Sequence, residues 1–185
     1  DDVLATIQYT HCQPAYIIKP RRIEVRGNGT PMRLRGADID CTTGDLRQVR
    51  QYLADLSAAV TDLSYFPNGN LQTVTGPANK NGQRYTLTYE YDAGVQTHVS
   101  RITDSFGLSS QATYNLKYGK VETTTDTNAN QTTNVYDQVG RIDFIYGPYE
   151  QGQSVATLDF EYKPDAAVPH PITRHVDKDA DGAYK

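Results

Sequence analysis

Between Thr125 and Tyr149 the chain reads TDTNANQTTNVYDQVGRIDFIYGPY, a short strand held between two polar turns, Asp126–Asn130 and Asp137–Gly140. After the second turn, Arg141 to Tyr146 alternates polar and apolar, which predicts a strand with Ile142, Phe144 and Tyr146 on one face. Asn and Asp suit such turns because their side chains bond nearby backbone groups, and Gly permits positive φ. The unit is strand–turn–strand–turn, and it recurs loosely along the chain. Tyrosines close the expected strands at Tyr65, Tyr91, Tyr114, Tyr136 and Tyr162, spaced 26, 23, 22 and 26 residues apart. A near-constant period with turn clusters and no long helical pattern marks a β repeat, in which each unit buries its face against its neighbours.

Tyr136, Asp137, Gly140, Arg141 and Ile142 follow one half of a recurring pattern, and Thr125, Asp126 and Asn130 follow the other. Tyr91-Asp92 and Thr103-Asp104-Ser105-Phe106-Gly107 repeat parts of it. On these residues the chain resembles the RHS/YD-repeat family, closely over residues 44–163 and loosely over residues 1–43. The resemblance implies an all-β fold of antiparallel hairpin repeats, forming a curved sheet that is part of a larger β-shell. It also implies a role: a structural segment of a cocoon that encloses a toxic C-terminal effector of an exported bacterial protein. Teneurin-like surface proteins carry related shells. The implied partners are the remaining shell segments and the enclosed effector, and the implied location of the parent protein is secreted or at the cell surface. The family's self-cleaving core has a DPxG motif with no counterpart in this chain, so the resemblance brings no catalytic residue with it.

The chain divides into an irregular N-terminal β segment (1–43), the repeat region (44–163) and a polar connector (164–185). In the first segment, Ala15 to Ile18 and Arg21 to Val25 read as strands, with a turn at Gly27-Asn28-Gly29 and a hairpin partner from Met32 to Arg35. Residues 45–60 carry a conflict. Leu46, Val49, Leu53, Leu56 and Val60 fall near helical spacing, yet the stretch also reads as a hairpin turning near Ala54–Ser57 with its second strand reaching Tyr65. The strand-like neighbours favour the hairpin. Further on, Gly76-Pro77 is expected to break a strand and Asn79–Gly82 to form a longer loop. Tyr85, Leu87, Tyr89 and Tyr91 then share one face, opposite Arg84, Thr86, Thr88 and Glu90. Leu158, Phe160 and Tyr162 are expected to be buried with Ile142 and Phe144.

Charge and motifs narrow the function. A formal net charge of −4 argues against a general nucleic-acid binder, although Lys19, Arg21, Arg22, Arg26, Arg33, Arg35, Arg47 and Arg50 make one region locally basic. No apolar run is long enough to span a bilayer. The chain opens without Met and reads as a piece of something longer. His11, His98, His170 and His175 sit in no nucleophile or zinc spacing, and HExxH, GxSxG and CxxC are absent, so no enzyme and no cofactor are expected. Asp177, Asp179 and Asp181, with Gly182, fit the first half of a calcium loop, but the bidentate acid of such loops is missing, leaving a weak candidate. Cys12 and Cys41 could pair or remain free thiols. With no small disulfide scaffold in sight, free thiols are favoured. The tyrosines read as structural closures of half-buried strands. The competing reading makes the chain a β-sheet binding module in which Tyr and Arg side chains recognise a glycan or a protein at a cell surface.

Overall fold

The computed structural model describes residues 2–13, 15–177 and 183–184. Among these residues every regular element is a β-strand. They fall into two compact units, residues 1–90 with 103–107 and residues 91–102 with 108–185.

The first unit contains β1 (Val3–Cys12), β2 (Ile17–Gly27), β3 (Thr30–Ile39), β4 (Leu46–Tyr52), β5 (Ala58–Tyr65), β6 (Leu71–Ala78) and β7 (Arg84–Tyr91, apart from its last residue). Each strand pairs antiparallel with the next in chain order. The hairpin expected over 45–65 is present as β4 and β5, turning between Leu53 and Ser57. Its near-helical spacing loses because both flanking strands are there to pair with it. The two N-terminal strands expected at 15–18 and 21–25 are one strand, β2. Gln8 opposes Arg22 while Tyr9 opposes Pro20, so Arg21 is the extra residue of a bulge, the place in a sheet where a proline without an N–H is tolerated. The strand over Val3–Cys12 had no counterpart in the sequence reading. Gly76-Pro77 likewise does not end β6. It lies in an irregularity where the register passes from Thr75↔Thr86 to Ala78↔Arg84.

The second unit contains β8 (Val99–Asp104, whose last two residues belong to the first unit), β9 (Ser109–Asn115), β10 (Lys120–Thr125), β11 (Gln131–Tyr136), β12 (Ile142–Tyr146), β13 (Leu158–Lys163), β14 (His170–Asp177) and β15 (Ala183–Tyr184). From β9 onward each again pairs antiparallel with its successor. Serine and threonine hydroxyls meet across these ladders, as in Ser64–Thr73 at 2.6 Å and Thr75–Thr86 at 2.9 Å in the first unit and Thr113–Thr123 at 2.7 Å in the second. Such pairs explain why so many strand positions are filled by small hydroxyl residues.

No large side chain among the described residues is fully buried, and Cys12 and Ala156 are the only buried hydrophobics. The face expected on β7 holds for Leu87, Tyr89 and Tyr91, which are half-buried between exposed Thr88 and Glu90. Tyr85 departs from it at 46% exposure. In β12 and β13 the expected contrast is missing: Ile142, Asp143, Phe144 and Ile145 are all half-buried, as are Leu158, Asp159, Phe160, Glu161 and Tyr162. Hairpins laid side by side in one layer cover both faces partly and neither face completely.

Cys12 and Cys41 form a disulfide, which corrects the expectation of free thiols. The turns after β1 and β3 bring the two cysteines to one end of the three-strand meander, where Lys19 also donates to the Gly44 carbonyl at 2.6 Å. The bridge closes a loop of 29 residues. In the chain-entropy picture such closure stabilises by about 3.6 kcal/mol. Replacing both cysteines by alanine should therefore lower the unfolding free energy by about that amount, read from urea melts beside the parent chain.

Candidate functional site

The residues singled out by the repeat pattern form a recurring turn. Position 1 donates its N–H to the carbonyl of position 5, position 4 donates back to the carbonyl of position 1, and position 4 has positive φ. The same pair of bonds closes Leu53–Ser57, Phe66–Asn70, Asn79–Gln83, Asp126–Asn130 and Asp137–Arg141. The positive-φ residues are Leu56, Gly69, Gly82, Ala129 and Gly140, at φ between 64° and 86°. This is a type I turn with a left-handed bulge residue, which twists in the sense that antiparallel strands require. The loop expected at 79–82 is thus a regular member of the series.

An Asp or Asn at position 1 adds a second layer of bonding. Asp137 Oδ1 accepts the N–H groups of Val139 (2.9 Å) and Arg141 (2.8 Å). Asp126 does the same with Asn128 (2.8 Å) and Asn130 (2.9 Å), and Asn79 with Asn81 (2.9 Å) and Gln83 (3.0 Å). Asp104 accepts from Phe106 at 2.8 Å, and Gly107, at φ 82°, donates to the Asp104 carbonyl. Thr103 and Thr125 are the strand residues that lead into Asp104 and Asp126. Asp92, next to Tyr91, gathers four N–H groups: His98 (2.9 Å), Val95 (2.7 Å), Gln96 (3.2 Å) and Thr97 (3.0 Å).

Those bonds set the electrostatics. The N–H of His98, then those of Val95, Gln96 and Thr97, hold the Asp92 carboxyl down at about 2. Asp126 is lowered chiefly by the Asn130 side chain and N–H. At Asp137 desolvation pushes upward, and the Arg141 side chain with the N–H groups of Arg141 and Val139 outweighs it, leaving the carboxyl below its ordinary value.

The tyrosines form the second recurring device. Near the end of the later strand of a pair, four of the five donate their hydroxyl to the first or second residue of the strand before it. Tyr65 reaches the Leu46 carbonyl (3.0 Å), Tyr114 that of Val99 (2.8 Å), Tyr136 that of Val121 (2.5 Å) and Tyr162 that of Ile142 (2.7 Å). Arg141 bonds Asp137 at 2.7 Å and lies 4.1 Å from the Tyr162 ring centroid, joining a turn to the next tyrosine. Lys120 joins another pair, donating to the Gly140 carbonyl at 2.6 Å. The sequence reading placed the tyrosines correctly but could not show which carbonyl each would meet.

The second unit also holds an open groove of about 510 Å³, lined in part by Arg101, Tyr114, Thr125, Asp126 and Asn130. Among the described residues no three His, Cys, Asp or Glu side chains gather as a metal site. His98 stacks on Tyr114 at 4.5 Å, and His170 Nδ1 lies 2.8 Å from the Val168 carbonyl. The disulfide takes Cys12 and Cys41 out of any zinc set with His11. The calcium candidate lies outside the described residues, since Asp179 and Asp181 and the side chain of Asp177 are not among them.

No family model matches the chain, and no curated protein does. Among solved structures, the chain is similar to the crystal structure of TcdB2-TccC3-TEV, with 12% identity and a TM-score of 0.49 over 94% of this chain. It is also similar to the crystal structure of TcdB2-TccC3-Cdc42, with 11% identity and a TM-score of 0.45 over 92% of this chain. In each case the chain spans 11% of the other chain's length. Likenesses this loose fix neither a shared activity nor a shared partner.

Three outcomes follow from the turn geometry. Gly140→Val should destabilise by about 1–3 kcal/mol, because it strains a φ of 85° and would place Cβ 2.7 Å from Tyr118 Cδ1. Asp137→Asn should be milder, since Asn keeps the acceptor for Val139 and Arg141. Ala129→Gly should stabilise by roughly 0.5–1 kcal/mol by relieving a left-handed alanine. Thermal melts of the three variants check all of these. The pH limb is separate. Asp92 is depressed in the fold, so its stabilisation is complete above the unfolded value of about 4 and is lost as pH falls through about 2. Asp92→Asn should flatten the acid limb of stability in that window.

Proposed function

We propose that this chain is a structural segment of an RHS-type β-shell, the enclosure that holds a toxic C-terminal effector of an exported bacterial protein. The observation that carries the reading is a sheet layer without a core of its own. Among the described residues, large apolar side chains such as Val3, Leu4, Ile18 and Met32 are 60% exposed or more, and none is fully buried. A layer of this kind is stable when neighbouring segments cover its apolar surface and its strand edges. The repeat residues support the same reading. The Asp and Gly positions are spent on closing turns, and four of the five strand-end tyrosines on tying strand pairs. We therefore assign no catalytic role to any of them. The disulfide suits a parent protein that passes through an oxidising compartment.

The recognition reading, in which rows of Tyr and Arg meet a glycan or a protein, has less behind it. Four of the five strand-end tyrosine hydroxyls that it would need are engaged with backbone carbonyls.

Two measurements test the proposal. Sedimentation of the isolated chain should show association that rises with concentration, whereas a monomer throughout the micromolar to millimolar range would mark a self-contained domain. In the complete gene product, limited proteolysis should leave a C-terminal segment protected, and the same segment should be cut rapidly once residues 1–185 of this chain are deleted. Equal cleavage with and without them would overturn the enclosure.

A further inference from the structure

The chain contains three Asn-Gly pairs, Asn28-Gly29, Asn68-Gly69 and Asn81-Gly82, and all three lie on exposed turns. Asn-Gly is the pair in which the backbone nitrogen of the second residue meets least steric hindrance in attacking the side chain of the first. The structure separates the three by what that nitrogen is doing. The Gly69 N–H donates to the Phe66 carbonyl at 2.9 Å, and the Gly82 N–H donates to the Asn79 carbonyl at 2.9 Å. Both nitrogens are tied into the five-position turn described above. Asn28-Gly29 instead forms a two-residue turn, with φ of 49° and 80°, between β2 and β3. In such a turn the second residue's N–H is left out of the ladder, and the Gly29 N–H has no partner among the described residues. A Cβ built on Gly29 would find nothing within 4 Å, so the approach from solvent is open.

The electrophile is prepared as well. The backbone N–H of Asp2 donates to Asn28 Oδ1 at 3.2 Å, while the Asn28 N–H donates to the Asp2 carbonyl at 2.9 Å. A donor on Oδ1 polarises the carboxamide and stabilises the negative charge that develops there when its carbon is attacked.

We propose that Asn28 is a site of spontaneous deamidation, driven by an intramolecular acyl transfer that the fold permits here and suppresses at Asn68 and Asn81. The Gly29 nitrogen loses its proton to solvent and bonds to Asn28 Cγ, with charge building on Oδ1 beside the Asp2 N–H. Nδ2 takes a proton from solvent, the Cγ–Nδ2 bond breaks, ammonia leaves and a five-membered succinimide remains. Water adds across one of its two carbonyls and opens the ring, giving aspartate or isoaspartate at position 28. No oxidant or cofactor is needed. Either product adds a negative charge beside the basic strands β2 and β3. The isoaspartate also lengthens the backbone by one methylene inside a turn that has only two residues to span it.

Peptide mapping by mass spectrometry tests this on the folded chain held at mildly alkaline pH. Asn28 should convert at least about tenfold faster than Asn68 or Asn81, a difference of about 1.4 kcal/mol in barrier. In high urea, where the turns are gone, the three rates should converge. Conversion at Asn68 or Asn81 as fast as at Asn28 in the folded chain would overturn the proposal. So would a ranking that survives unchanged in urea, because local sequence rather than the fold would then be setting it.

Discussion

The left-handed residue at the fourth position of the hairpin turn is the constraint on which the rest depends. A strand pair can keep its side chains on fixed faces only if its register is fixed, and a slip of one residue would invert every face. The two backbone bonds of the Asp137–Arg141 turn fix it between β11 and β12, and the Asp126–Asn130 turn fixes it between β10 and β11. With both set, the Tyr136 hydroxyl is carried to the Val121 carbonyl. The tyrosine bonds are therefore consequences of the turns, and they in turn lock adjacent strands together at the ends opposite those turns.

Much of this was legible in the residues. Where the turn uses Asp at position 1 and Gly at position 4, as at Asp137–Gly140, the side chains announce the geometry because few others satisfy it cheaply. At Leu53–Ser57 the turn was expected but its geometry was not, because Leu56 takes φ 64° with neither an Asx residue at position 1 nor a glycine at position 4. There the same two backbone bonds close the turn, and Asp55 Oδ1 accepts from the Ser57 hydroxyl at 2.6 Å and the Ser57 N–H at 3.0 Å. The pairing of Cys12 with Cys41 was also beyond the sequence. It depends on a continuous β2, and the bulge at Arg21 that keeps β2 continuous has no signature apart from Pro20.

The missing burial contrast in β12 and β13 has a physical cause of the same kind. Alternation predicts which residues share a face, but not how well the face is covered. A sheet backed by a second layer buries one face and wets the other. Here β12 is paired on both sides, and Phe144 and Asp143 are both half-buried. Polar side chains on such a surface can be used structurally. Arg84 donates to the Val60 and Thr75 carbonyls, both at 3.0 Å, and pairs with Asp62 at 2.5 Å, bracing three adjacent strands. Arg174 bonds Asp159 at 3.2 Å and also pairs with Glu161 across β13 and β14. Single exposed ion pairs contribute little, but a guanidinium that also satisfies strand carbonyls restrains register directly.

The same economy bears on chemistry. A carboxylate serves as a general base best when its pKa lies near the working pH. The turns of this chain move their acids the other way, because N–H groups directed at a carboxylate favour its charged form. Asp92, with four such donors and a value of about 2, is the extreme case, and Asp126 and Asp137 follow it. An acid of this kind is ionised at neutral pH, saturated with donors and a poor acceptor of a further proton. Raising its pKa would mean removing the bonds that close the turn. Stable turns and acid–base catalysis therefore make opposite demands on these aspartates, and the bonding at each of them meets the demand of the turn.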